Sequence, residues 1–162
     1  GRAEPQRIAG IGSRLHQIGA LLSTLLHEPV IMFVQWRTMV RGTRAYLHGI
    51  GARVLLLDGN SNQRASTLAS FTHGGILLMC LEECFAGLNL PHARTIVFAH
   101  AIVADATTVQ RLERQAIARC VRHGQQSVAR VYSFVVAGSA EENLWHETHS
   151  ESPVSPARCV GW

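Results

Sequence analysis

Gln115, Arg119 and Arg122 stand at i, i+4 and i+7 in the run Gln115-Ala116-Ile117-Ala118-Arg119-Cys120-Val121-Arg122-His123-Gly124-Gln125. On an α-helix these three side chains fall on one face, and Arg111 extends the stripe one turn back. Leu112, Ala116, Ile117, Cys120 and Val121 form the opposite, apolar face. Gly124 is a helix-ending residue. Guanidinium groups are flat, permanently charged forks that match phosphate oxygens. The chemistry such a rod can offer is recognition of phosphate charge. The same spacing also fits a solvated amphipathic helix whose arginines only confer solubility.

Composition narrows the choice. All 15 Lys+Arg residues are arginine. No phosphate-loop lysine, Schiff-base lysine or lysine general base can therefore exist in this chain. The net charge of +4 permits contact with phosphates. The cysteines at 80, 84, 120 and 159 form no C-x-x-C, and no spacing with the nine histidines suits a zinc site. Cys80 and Cys120 read as small core residues in a reducing compartment. No histidine is assigned a catalytic role. Apolar runs are too short to span a bilayer, so no membrane partner is expected. The first residue is Gly1, from which a segment of a longer protein is expected.

The elements that must position the stripe alternate. Ser13 opens a helix to about His27, and Val30–Val34 is an apolar run of the kind buried on both faces. A helix over Thr38–His48, a strand over Arg53–Leu57 and a helix over Ser61–Phe71 follow. Ile76–Met79 and Thr95–Phe98 are the next strands. The helix at 108–122, a strand over Val128–Val136 and a helix from Ser139 to about Trp145 close the order. Alternating strands and helices with short connections specify an α/β fold: a parallel sheet in three layers, with helices on both faces. Ligands of such sheets meet the loops beyond the carboxyl ends of the strands. Residues 1–11 read as a linker, 12–147 as the domain, and 148–162 as a disordered tail.

Taken in order, Gly12-Ser13-Arg14-Leu15, Val30–Trp36, Leu57-Asp58-Gly59, Ala86-Gly87-Leu88-Asn89-Leu90, the run at 115–125 and Glu141-Glu142 resemble one family. It is the C-terminal RecA-like lobe of the Swi/Snf-type DNA-dependent ATPases, within superfamily-two helicases. The Gly-Leu-Asn-Leu run followed by Gln-Ala-Ile…Arg…Arg…Gly-Gln is the specific part.

The resemblance implies the second motor lobe of an ATP-dependent DNA translocase of the chromatin-remodelling or DNA-repair kind, acting in the nucleus of a eukaryote. It implies Arg119 and Arg122 facing the γ-phosphate, with Arg122 the arginine finger, and Gln115, Gly87 and Asn89 near the nucleotide. Gln35, Trp36, Arg37 and Asn60 match positions that face the DNA backbone, and Arg64 is a further candidate phosphate contact. The implied partners are duplex DNA and an N-terminal RecA-like lobe that carries the Walker lysine and holds Mg²⁺; the cofactor is ATP. This segment alone is not catalytic on that reading. The chain departs from the family pattern at Cys84-Phe85, Ala118 and Val121. Those departures also fit a degenerate lobe that keeps the fold and scaffolds DNA or proteins without turnover.

Overall fold

The computed structural model describes residues 13–25, 27–83, 90, 93–118 and 129–150, together with the backbone of 157–161. The elements in chain order are α1 (Ser13–Ser23), β1 (Pro29–Val34), α2 (Arg37–Gly49), β2 (Val54–Leu56), α3 (Ser61–Phe71), β3 (Gly75–Cys80), β4 (Thr95–Phe98), α4 (Ala106–Ala118), β5 (Arg130–Val136), α5 (Ala140–His149) and β6 (Ala157–Gly161). The strands form one sheet in the order β2-β3-β1-β4-β5-β6. Every pairing is parallel.

The apolar strand runs are continuous because both sheet faces are covered. Val30, Met32 and Val34 of β1 point to one face, where Ile18 and Leu22 of α1 and Leu47 of α2 pack over them with Ile76, Leu78 and Val97. Ile31 and Phe33 point to the other, where Phe71 of α3 and Val109 and Ala116 of α4 close over Leu77, Met79, Ile96 and Phe98. The residues alternate because successive strand side chains point to opposite faces. Gly75 shows how tightly the sheet is drawn at its lower end. Its φ is +104°, and a Cβ there would lie 3.0 Å from the Arg53 carbonyl oxygen.

The expected five strands and their helices form, with shifts that have local causes. Helix α1 stops at Ser23 and not near His27. The Ser23 hydroxyl donates to the Ala20 carbonyl and the Thr24 hydroxyl to the Leu21 carbonyl, each at 2.7 Å. Hydroxyls that bond the preceding turn compete with continuation of the helix. Helix α5 runs past Trp145 and past residue 147, the expected end of the domain, to His149. Residues 148–162 read from composition as a disordered tail, yet Ala157–Gly161 pair with β5 from Tyr132 to Val136. A strand edge with free N–H and C=O groups accepts any extended segment, and Ser/Pro/Gly composition carries no signal for that.

Candidate nucleic-acid and nucleotide-facing site

Gln35 and Trp36 leave the carboxyl end of β1 beside the end of β4. The Gln35 backbone N–H donates to Nε2 of His100 at 3.0 Å. Its side-chain amide grips the backbone of Val103, with Nε2 donating to the carbonyl at 3.1 Å and Oε1 accepting from the N–H at 2.7 Å. His100 Nδ1 lies 2.8 Å from the Ala101 carbonyl. A carbonyl only accepts, so Nδ1 carries the hydrogen and Nε2 is the bare acceptor: the ring is neutral. Burial pushes the His100 pKa below its ordinary value, with the Arg14 charge adding to it against the Ala101 carbonyl and Glu141. Trp36 stacks on this ring with centroids 5.5 Å apart and planes within 7°, and stays 37% exposed. The indole is thus presented on a fixed support.

Arg37 begins α2. Its backbone N–H donates to a carboxylate oxygen of Glu82 at 3.2 Å, and its guanidinium pairs with Glu83 at 2.8 Å. The Arg37 side chain remains 77% exposed. The loop after β3 therefore caps α2, which has no side-chain cap of its own. Cys80, at the end of β3, is buried and donates its thiol to the Gln35 carbonyl at 3.2 Å. Burial raises its pKa, so it is an inert core thiol as its sequence position suggested.

Asn60 starts α3 in a reciprocal capping box. Its Oδ1 accepts from the Gln63 N–H at 3.0 Å, and the Gln63 side chain accepts from the Asn60 N–H at 2.8 Å. Asn60 Oδ1 is committed to the helix, which leaves its NH₂ as the group able to reach a phosphate. Gly59, at φ +84°, makes the turn, and Arg64 Nε donates to the Gly59 carbonyl at 3.1 Å from an exposed position. Gln35, Trp36, Arg37, Asn60 and Arg64 thus all stand at the carboxyl end of the sheet, on the loops after β1 and β2 or at the starts of the helices they feed.

Gln115 stands apart from that group, on α4. Asp105 caps this helix: its carboxylate accepts from the Thr108 N–H at 2.9 Å and the Thr108 hydroxyl at 2.7 Å. Those two bonds hold the Asp105 pKa below the ordinary carboxylate value. Val109 and Ala116 are buried, while Arg111 and Gln115 are exposed, as the stripe requires. The inner side of α4 is braced by α5. His149 Nε2 lies 3.0 Å from the Glu113 carboxylate, its Nδ1 lies 2.8 Å from the Trp145 carbonyl, and its ring stacks on Trp145 at 4.3 Å. Burial works against charging His149, but Glu113 and the Trp145 carbonyl outweigh it and raise the pKa. Arg119, Arg122, Gly87 and Asn89 lie outside the described residues.

Sequence reasoning left three supports of this site without a specific role. His100 is one; it stands in the loop after β4, and no histidine was assigned a catalytic role. Glu141 is the second. One carboxylate oxygen accepts from the Ala101 N–H at 2.9 Å, and the other accepts from the Val136 N–H at 3.2 Å and from the Arg14 guanidinium. It ties α1, the loop after β4 and the end of β5 to α5, whereas the Glu141-Glu142 pair entered the sequence reading only as part of the family resemblance. His149 is the third. Among the described residues no group of three or more His, Cys, Asp or Glu side chains could hold a metal, and no helix is long and apolar enough to cross a membrane.

Comparison with known proteins agrees with this architecture. The family model for the helicase conserved C-terminal domain matches residues 13–124. Protein CHROMATIN REMODELING 19 of Arabidopsis thaliana is 29% identical over 121 residues, covering 72% of this chain and 15% of its own length. DNA repair protein RAD5A of the same plant is 30% identical over 119 residues, 70% of this chain and 11% of its own. DNA repair protein RAD5 of Eremothecium gossypii is 27% identical over 161 residues, 89% of this chain and 14% of its own. The chain thus spans less than a sixth of each of these relatives. Among solved structures, the C-terminal part of the Fun30 ATPase domain superposes with a TM-score of 0.69 at 19% identity, over 88% of this chain and 48% of that one. The C-terminal domain of the DEAD-box protein Dbp5 superposes with a TM-score of 0.65 at 17% identity, over 92% of this chain and 84% of that one. With a parallel sheet covered by helices on both faces and a family match across most of its length, the chain belongs to the helicase conserved C-terminal domain family, as a RecA-like lobe of the Swi/Snf type.

Proposed function

We propose that this chain is the second motor lobe of an ATP-dependent DNA translocase of the chromatin-remodelling or DNA-repair kind, and that it works in the nucleus. The observation that carries the reading is α4. Its exposed face holds Arg111 and Gln115, its start is capped by Asp105, its inner side is braced through Glu113, and the chain runs on from it into Arg119 and Arg122. The amide of Gln115 and the guanidinium of Arg111 on one exposed face fit the phosphate side of a nucleotide. Gln115, Gly87 and Asn89 would hold ATP; bound there, it supplies the phosphoryl group for transfer to water. Arg119 and Arg122 would neutralise the charge that spreads over the phosphoryl oxygens, with Arg122 as the finger. A preceding lobe of the same protein would supply the Walker lysine and the carboxylates for Mg²⁺, since this chain has no lysine.

Gln35, Trp36, Arg37, Asn60 and Arg64 would lie along the duplex backbone. Contacts of this class set position and salt dependence and do not read sequence. The test is DNA-stimulated ATPase activity of the two-lobe protein. Arg122→Ala is expected to lower kcat on the order of 10³-fold or more, with DNA binding retained. Unchanged turnover would refute the finger. A wild-type two-lobe protein that binds DNA without turnover would move the reading to a scaffold lobe, which Cys84-Phe85 and Ala118 favour.

A further inference from the structure

Helix α2 carries Arg37, Arg41 and Arg44 at i, i+4 and i+7, and no acidic residue occurs anywhere in it. Exposed helices ordinarily mix both signs of charge. The three arginines line a cavity of about 260 Å³ together with Leu56, Leu78, Met79, Asp58 and Glu83, at the ends of β2 and β3. Glu83 is already engaged by Arg37. Among the described residues neither Arg41 nor Arg44 has a carboxylate within ion-pair distance, and Arg44 Nε donates only to the His48 ring at 3.3 Å. Side chains on a helix lean toward its N-terminus. On α2 that is the carboxyl end of the sheet, where Trp36 and Asn60 stand. Apolar walls beside like charges concentrate their field.

We propose that Arg41 and Arg44 bind phosphates and extend the nucleic-acid surface from Arg37 along α2. Arg37 to Arg44 spans about 10.5 Å of helix axis, roughly three base steps at 3.4 Å each. The ligand is the phosphodiester backbone of one strand, crossing the cavity mouth between α2 and the loop after β2. This rests on the DNA-tracking reading above and enlarges its footprint by two residues that the family resemblance did not mark.

The experiment uses the two-lobe protein and a labelled mixed-sequence duplex, with affinity read by fluorescence anisotropy across a salt series. Each lost phosphate contact lowers the slope of log K against log salt by about 0.9. The double variant R41Q/R44Q is therefore expected to lose about 1.8 from the slope. R41K/R44K keeps the charge and the slope, and Arg114→Gln on α4 leaves the slope at the wild-type value. Circular dichroism of R41Q/R44Q checks that the fold is kept. A normal slope in R41Q/R44Q beside a reduced one in Arg37→Gln would overturn this proposal and leave the wider reading standing. No duplex binding by the wild type would overturn both. Loss of binding to a polyglutamate peptide in R41Q/R44Q, with the DNA slope unchanged, would assign the stripe to an acidic protein partner instead.

Discussion

The molecule contains the same aromatic pair twice. Trp36 lies on His100 at the ends of β1 and β4, and Trp145 lies on His149 within α5; both pairs are nearly parallel, and both imidazoles are largely buried. Yet the two rings titrate in opposite directions. His100 Nε2 receives a backbone N–H, which only the neutral ring can accept, and its pKa falls. His149 Nε2 faces the Glu113 carboxylate, which favours the charged ring, and its pKa rises. Stacking and burial are shared, so the partner of one nitrogen decides the charge. The neutral pair supports the exposed Trp36 indole without placing a switchable charge beneath it. The charged pair locks the inner side of the helix that leads to Arg119 and Arg122.

Glu113→Gln breaks the second pair and gives the largest expected effect on stability. It leaves a buried ring whose charge has lost its carboxylate, and unfolding by urea near pH 6 should show a loss of about 2 kcal/mol, below the 3–5 kcal/mol of a fully buried pair because Glu113 is partly exposed. The sign of the pH dependence follows from the raised pKa. Stability from His149 is complete below the ordinary value of 6.5 and is lost as pH rises through the folded value. The cost of Glu113→Gln should therefore shrink in alkali; a constant cost across pH would break the assignment.

His100→Phe should cost somewhat less, about 1–2 kcal/mol, because it strands the Gln35 N–H while keeping a flat ring under Trp36. Here the sign is reversed. A depressed folded pKa means that stability from His100 is full above 6.5 and declines as pH falls below it. The variant should lose that acid-side decline, so its deficit against wild type narrows toward acid pH. A deficit that widens there would show the ring to be charged in the fold. Trp36→Ala sharpens the contrast with the least thermodynamic consequence, within about 0.5 kcal/mol, as expected for a partly exposed side chain away from the core. Its effect should appear in DNA affinity instead.

The order of elements was legible from the sequence because the strands are buried on both faces and so read as unbroken apolar runs, while the helices between them carry stripes. The faces of α4 were legible for the same reason: Leu112, Ala116 and Ile117 repeat at helical spacing and pack on the core, and Arg111 and Gln115 fall opposite. The links across the fold were not. Nothing near Glu141 in the chain announces that its two oxygens would meet Ala101, Val136 and Arg14, and nothing near Gln35 announces Val103. Such bonds depend on which strand ends become neighbours, and only the sheet order settles that. Asn60 shows a finer limit. The family resemblance placed it toward the DNA backbone, and in the structure its oxygen bonds the first turn of α3. The sixth strand was hidden because a backbone ladder on an edge needs no side-chain pattern.

The short strand β2 has a consequence for how such a lobe behaves when its surfaces are uncovered. It forms one margin of the sheet and is three residues long. Arg53, just before it, turns its guanidinium back to the Ser70 and Gly74 carbonyls at 3.2 and 2.8 Å. A margin this short offers a stray extended peptide only a few ladder bonds. On that side the sheet is a poor template for aggregation.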